Sequence, residues 1–190
     1  LVGDDFRFGR GREGDFELLE KAGSEKGFEV ERAQTLEFEG ERISSSRVRE
    51  SLANGDFELA KALMGRPYSI MGRVVYGRQL GRQLGVPTAN VRLQRYRSAL
   101  EGVYSVSVDG LDVGRKNGIA NIGIRPTVGG KEPLLEVHLF DFSGDIYGHL
   151  ISVTFHQKIR DEQQFSSIEL LKAQIEKDIV QSQDWFVSNA

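Results

Sequence analysis

Along this 190-residue chain the apolar positions change their period once. Up to Gly65 they recur at helical spacing. Over Asp15–Lys26, Phe16, Leu18, Leu19 and Ala22 gather toward one face, and Gly23 and Gly27 mark the end of a helix. Phe28–Phe38 alternates loosely and predicts a strand. Ser44–Ser46 precede Val48, Leu52 and Ala53, and Asn54–Gly55 stop that second helix. Asp56 is placed to cap a third, Phe57–Met64, ended by Gly65. Arg66–Pro67 then marks a boundary.

From Tyr68 onward the pattern becomes short alternating runs broken by turn residues. Strands are predicted at Tyr68–Tyr76, Ala89–Leu93, Gly102–Val108, Gly118–Ile124, Leu134–Phe140 and Leu150–Ile159. Asp109–Gly110, Gly129–Gly130 and Ser143–Gly144 supply turns. Strands this short and this numerous predict a small antiparallel barrel, because closure removes exposed edges. Over Ser167–Val180, Ile168, Leu171, Ile175 and Ile179 form one helical stripe, with Ser166 or Ser167 as its cap. The expected fold is mainly β: a six-stranded antiparallel barrel with a C-terminal helix (residues 66–186), preceded by a partial α/β domain (residues 1–65).

Composition narrows the function classes. Apolar residues are 39% and charged residues 28% of the chain, as in a soluble globular protein. No run approaches the roughly 18 apolar residues of a membrane span, and no secretory leader is visible. With no cysteine, disulfides and thiolate metal sites are excluded, and a reducing cytoplasm is the expected setting. The net charge of −3 argues against a general nucleic-acid binder. Residues 1–65 carry a net −5 and residues 66–190 a net +2, which makes the second part the better host for an anionic substrate. The chain opens on Leu1-Val-Gly followed by a polar run, which reads as a buried strand entering a loop, inside a domain whose earlier part is missing.

Four segments hold candidate chemistry. Glycines at 72, 77, 81 and 85 lead into Pro87-Thr-Ala-Asn90. Glycines let backbone N–H groups approach phosphate oxygens. Thr88 and Asn90, two apart on a strand, project a hydroxyl and an amide oxygen from one face, donors that suit Mg²⁺. Walker A spacing is absent, and by spacing alone a glycine-rich hairpin is an equal reading. In Leu134–Phe140, Glu136 and His138 share one face. A carboxylate there can take a proton from an attacking alcohol, or simply be solvated. His138, His149 and His156 lack metal-ligand spacing and read as structural. Arg160-Asp-Glu-Gln-Gln-Phe165 is a strand-to-helix loop able to close on a planar ligand. Ser44, Ser45 and Ser46 with Arg47 and Arg49 open a helix, where an anion is favoured, although capping needs only one serine.

Taken together these residues resemble the bifunctional bacterial FAD synthetase family, a riboflavin kinase fused to an FMN adenylyltransferase. The marks are Gly3–Gly9, Gly14-Asp15, Ile43–Ser46 with Arg49, Gly65–Tyr68, Pro87–Asn90, Asn121–Gly123, Arg125–Thr127, Leu135–Phe142 and Arg160–Gln163 with Phe165. The resemblance implies that Thr88 and Asn90 bind Mg²⁺ and the ATP phosphates, and that Gly72, Gly77, Gly81 and Gly85 hold the nucleotide. It implies that Glu136 is the base for the riboflavin 5′-hydroxyl, and that Arg160 and Phe165 close over the flavin. Riboflavin and ATP are then the substrates, FMN and ADP the products. Residues 1–65 resemble the rear of the adenylyltransferase domain, where Ser44, Ser45, Ser46 and Arg49 match a contact to ATP phosphates. The histidine-bearing HxGH-type motif of that domain has no counterpart in this sequence. The family more often has Thr at Ile124, and an Asp is common in it at Ser166. Adenylylation of FMN by a longer parent, and a non-catalytic flavin-binding barrel, stand as the alternatives.

Overall fold

The computed structural model describes residues 1–3, 5–77, 81, 85–93, 98–127 and 130–189, with side chains throughout except at 124–127 and 130–132. Asp4, the stretch 82–84 of the glycine segment and Gly129 of one expected turn lie outside the described residues. The chain forms two compact units, Leu1–Ser45 and Ser46–Ala190. No helix among the described residues is long and apolar enough to cross a membrane.

In the first unit, helix α1 (Phe16–Lys26) begins where the Asp15 carboxylate accepts the Leu18 N–H at 3.0 Å. It does not end at Gly23, which is buried within it, but at Gly27, in the left-handed conformation at φ +77°. The N–H groups of Gly27 and Phe28 both donate to the Gly23 carbonyl. Phe28 is thereby part of the helix stop, and the strand expected over Phe28–Phe38 is not formed as such. Only its end, β1 (Glu37–Phe38), pairs with β2 (Glu41–Arg42) across Glu39 and Gly40, both at positive φ. Val2 forms an isolated parallel bridge to Arg32.

In the second unit, α2 (Ser45–Ala53) and α3 (Phe57–Met64) precede the barrel. Asp56 caps α3 by accepting the Leu59 N–H at 2.9 Å, and Gly65 ends it at φ +68°. Leu52, Phe57 and Ala60 are buried in the barrel core. Six strands follow: β3 (Ser69–Val75), β4 (Ala89–Arg92), β5 (Gly102–Asp109), β6 (Lys116–Thr127), β7 (Gly130–Leu139) and β8 (Leu150–Arg160). They close into an antiparallel barrel in the order β3-β4-β7-β6-β5-β8, as the pattern predicts.

Alternation decides what fills the barrel. Ile70, Val74, Tyr104, Val106, Ile122, Leu135, Val137, Ile151 and Phe155 are all at most 2% exposed and share one core. Tyr104 meets Phe155 and Phe57 edge to face, at ring-centroid distances of 5.5 and 5.8 Å. The Tyr104 hydroxyl donates to the Glu101 carbonyl at 2.7 Å, and burial pushes it up to about 12. The alternate residues face outward, where α4 (Ile168–Ser188) covers β5, β6 and β8.

Of the two candidate caps for α4, it is Ser167 that accepts the Leu170 N–H. The helix runs eight residues past the predicted end at Val180, because Ser182, Trp185 and Phe186 still meet the barrel. Ser182 Oγ donates to the Gly118 carbonyl, and Phe186 joins Val103, Ile119 and Phe140. His156 stacks on Trp185 at 5.3 Å and shares a 2.9 Å hydrogen bond with Ser107. Burial, assisted by the Arg115 charge and opposed by Glu58, holds the His156 imidazole below its ordinary 6.5.

Truncating Phe155 to Ala is expected to cost about 3–5 kcal/mol in urea unfolding, since it empties the centre of the aromatic cluster. The His156 shift fixes a pH dependence. Below pH 6.5 the unfolded chain takes up a proton that the folded ring resists, so stability falls with pH from there down to the folded-state value. Urea midpoints followed by Trp185 fluorescence are expected to show this slope, and His156→Gln to lack it.

Candidate active site

The outer face of β7 carries the site. Glu136 is paired directly with Asn90 of β4 on one side and Asn121 of β6 on the other. Directly opposed residues share a face, so an amide, a carboxylate and a second amide form a row across three strands. α4 covers the neighbouring β5 and β6, but Glu136 and His138 remain half-exposed. His138, two residues on, points the same way, and its Nδ1 lies 2.8 Å from the Pro87 carbonyl oxygen.

Glycine has a separate reason at each candidate position. At Gly77 a Cβ would overlap the Asn90 amide, which is only 5% exposed. At Gly81 a Cβ would overlap the Val86 carbonyl and press on Thr88, and the Val86 N–H donates to the Gly81 carbonyl at 2.8 Å. Gly85 has open space around it but lies at φ +81°. Gly72 sits within β3, where a Cβ would come 2.6 Å from Val91. That close packing is structural, and Gly72 borders a different surface hollow with Met71 and Arg92.

The other wall comes from the end of the chain. Arg160 closes β8, and its Nε and Nη2 donate to one carboxylate oxygen of Asp178 at 2.9 and 2.8 Å. The other oxygen accepts Gln174 Nε2 at 2.8 Å. Asp178 is 3% exposed, so this is a buried ion pair that ties α4 to the end of β8. Arg160 also donates to the Asp161 carbonyl and lies 5.7 Å from the Phe165 ring centroid. Glu162 folds back over Gly123, where a Cβ would overlap its carboxylate, and lies within 3.5 Å of the Asn121 amide.

These walls enclose a cavity of about 280 Å³. The structure brings together in it Glu136, Thr88, Gly81, Arg160 and Phe165 among the expected residues. Apolar walls come from Val103, Ile119, Leu171 and Ile175. Asn90, paired with Glu136 and packed against Gly77, lines neither this cavity nor the next. A second cavity, about 680 Å³, opens between the end of β3, the start of β4 and residues 142–147, where Tyr76 stacks on Tyr147 at 3.8 Å. Thr88 borders both cavities. Ser44 precedes α2, and Ser45, Ser46 and Arg49 lie in it. None of the four lines either cavity.

No group of three or more His, Asp or Glu residues able to hold a metal occurs among the described residues. The Thr88 hydroxyl, the Asn90 amide and the Glu136 carboxylate are hard oxygen donors. They fit a cation that completes its shell with phosphate and water, not one held by protein alone. The sequence pattern assigned no role to Asn121 or Asp178, and placed Glu162 only within the Arg160–Phe165 loop. Asp178 had a readable signal, since it falls three residues after Ile175 on the apolar stripe of α4, where a charge needs a buried partner.

The fold is thus a small, filled, closed barrel with a carboxylate and a hydroxyl lining a cavity on its outer wall. The riboflavin kinase family, Flavokinase, matches residues 64–186, and the chain belongs to it. The FAD synthetase family matches residues 1–47. The chain is 56% identical over 179 residues to the bifunctional riboflavin kinase/FMN adenylyltransferase of Pseudomonas fluorescens, covering 94% of this chain and 57% of that protein. The protein of the same description from Escherichia coli K12 is 53% identical over 185 residues, covering 97% and 59%. The chain thus spans about three-fifths of the length of these curated relatives. A solved structure described as a macrolide-efflux protein from Streptococcus pneumoniae aligns with TM-score 0.69 and 34% identity over 93% of this chain and 57% of that one.

Asp178→Ala leaves the largely buried Arg160 guanidinium without its carboxylate partner and is expected to cost up to about 3–5 kcal/mol. Replacing both residues with apolar ones of similar volume is expected to recover most of that loss. Urea unfolding of the single and double variants checks it.

Proposed function

We propose that this chain transfers the γ-phosphate of ATP to the 5′-hydroxyl of riboflavin, giving FMN and ADP. The observation that carries this reading is Thr88, common to two cavities of which only the first contains Glu136. A phosphoryl group must move where donor and acceptor sites meet, and Thr88 stands at such a meeting point. The apolar walls of the first cavity and Phe165 suit a flat flavin ring. The second cavity, with its aromatic residues and with Pro87 and Thr88 in its wall, suits the nucleotide.

Glu136 accepts the proton of the 5′-hydroxyl as its oxygen attacks the γ-phosphorus and ADP leaves. Its place between two asparagines fixes its direction. Thr88 and Asn90 are the residues to hold Mg²⁺, which when bound offsets negative charge on the phosphates. Gly77 and Gly81 let the backbone pack directly against those two side chains. Arg160, already neutralised by Asp178, shapes the flavin wall through Phe165. Gly85 supplies the turn before Pro87, and Gly72 contributes packing.

The functional division proposed is residues 66–186 as the kinase domain and residues 1–65 as the rear of an adenylyltransferase domain. In a longer parent protein, Ser44, Ser45, Ser46 and Arg49 would contact ATP phosphates during FMN adenylylation. A cytoplasmic setting agrees with a chain free of cysteine.

Glu136→Gln is expected to keep riboflavin binding, read by flavin fluorescence quenching, and to lower FMN formation by on the order of 10²–10⁴. Near-normal turnover in that variant would exclude the assigned role. Chromatography of riboflavin with Mg-ATP, scored separately for FMN and FAD, tests the reaction itself. Flavin quenching by the wild-type chain without ATP consumption would favour a non-catalytic flavin-binding barrel.

A further inference from the structure

His138 has no part in the proton transfer above, although it leaves β7 on the same face as Glu136. Its ring is held from two sides. Nδ1 lies 2.8 Å from the Pro87 carbonyl oxygen, and the Phe140 ring meets it edge to face at 6.0 Å. A carbonyl only accepts, so the proton of that bond belongs to Nδ1. In the neutral ring this fixes the Nδ1–H tautomer and leaves Nε2 as an acceptor.

The bond falls where the sheet no longer supports the chain. The described pairs between β4 and β7 begin at Ala89 with Val137, followed by Asn90 with Glu136. Thr88 is one residue before that ladder, and Pro87 has no N–H with which to extend it. The Pro87 carbonyl belongs to the peptide unit that leads into Thr88, and Thr88 borders both cavities. One hydrogen bond from β7 therefore reaches past the end of the ladder to the segment carrying the shared hydroxyl.

We propose that His138 is a positioning residue whose Nδ1–H tethers the Pro87 carbonyl and thereby fixes Thr88 at the junction of the two cavities. This rests on the reading of Thr88 as the residue at the phosphate. His138 neither takes nor gives a proton in the reaction. It acts through Pro87 and Thr88, so the nucleotide side should register its loss more than the flavin side.

The test compares His138→Ala, His138→Gln and His138→Asn in the full 190-residue chain. The side-chain amide of Asn carries its N–H close to the position of imidazole Nδ1, whereas that of Gln lies nearer Nε2. Ala and Gln are expected to lose on the order of 10-fold to 100-fold in kcat/KM for Mg-ATP, as for a misplaced contact near the reacting atoms. Riboflavin affinity is expected to hold, and Asn to recover most of the loss. Equal loss in Asn and Gln overturns the proposal, as does an Ala variant with unaltered kcat/KM for Mg-ATP. A measurement on the wild-type chain needs no substitution. Nitrogen NMR of the His138 ring in alkaline buffer is expected to find Nδ1 protonated, and protonated Nε2 overturns the tether. A wild-type chain that makes no FMN would refute the kinase reading, while the NMR result still judges the tether.

Discussion

The register of β7 between β4 and β6 is the constraint on which the site depends. Pairing Glu136 with Asn90 and Asn121 sets a carboxylate between two amides on the outside of the barrel. Because strand side chains alternate with a period of two, a slip of one residue would send Glu136 into the core and Leu135 and Val137 into water. The core forbids that slip, since Leu135 and Val137 are at most 1% exposed among Val91, Ala120 and Ile122. Hydrophobic burial inside the barrel thus fixes the direction of the Glu136 carboxylate outside it.

A barrel of this size fills itself with side chains, and the cavity with Glu136 lies on its outer wall. One face of β5 packs inward and the other lies under α4, which explains why its small and apolar residues are buried on both sides. α4 is held by a mixed seam. Val103, Ile119, Ile179 and Phe186 supply apolar contact, and Ser182, the Ser107–His156 pair and the Arg160–Asp178 ion pair supply direction. A buried ion pair adds little net stability against an apolar replacement, but it sets position. Here it fixes the end of β8, and with it Arg160 and the Phe165 ring, against the cavity.

The barrel was legible because its strands alternate and the residues between them include glycine, aspartate and serine. The helix caps were legible for the same local reason: Asp15, Asp56 and Ser167 each accept the N–H three residues on. Phe28–Phe38 misled because its loose alternation competes with a local helix stop that draws Phe28 back to Gly23. α4 outran its predicted end because serines and aromatics break an apolar stripe on paper and still pack on a barrel. Within the site, Thr88 and Glu136 were visible as chemistry on strands. Glu162 and Asn121 meet from positions 41 residues apart, a proximity that no local pattern carries.

The sequence by itself determined the elements, the inward and outward faces of each strand, and the kind of donor each face presents. These follow from local propensity and period, which act within a few residues. Tertiary structure alone decided which donors meet. Closure of the barrel put Asn90 and Asn121 on either side of Glu136, docking of α4 brought Asp178 to Arg160, and the His138 ring took the Pro87 carbonyl. It also divided the glycines, leaving Gly77 and Gly81 above the site and Gly72 in the packing of β3 against β4. Such pairings depend on strand order and register across the closed sheet, and those are settled only when the whole core is buried at once.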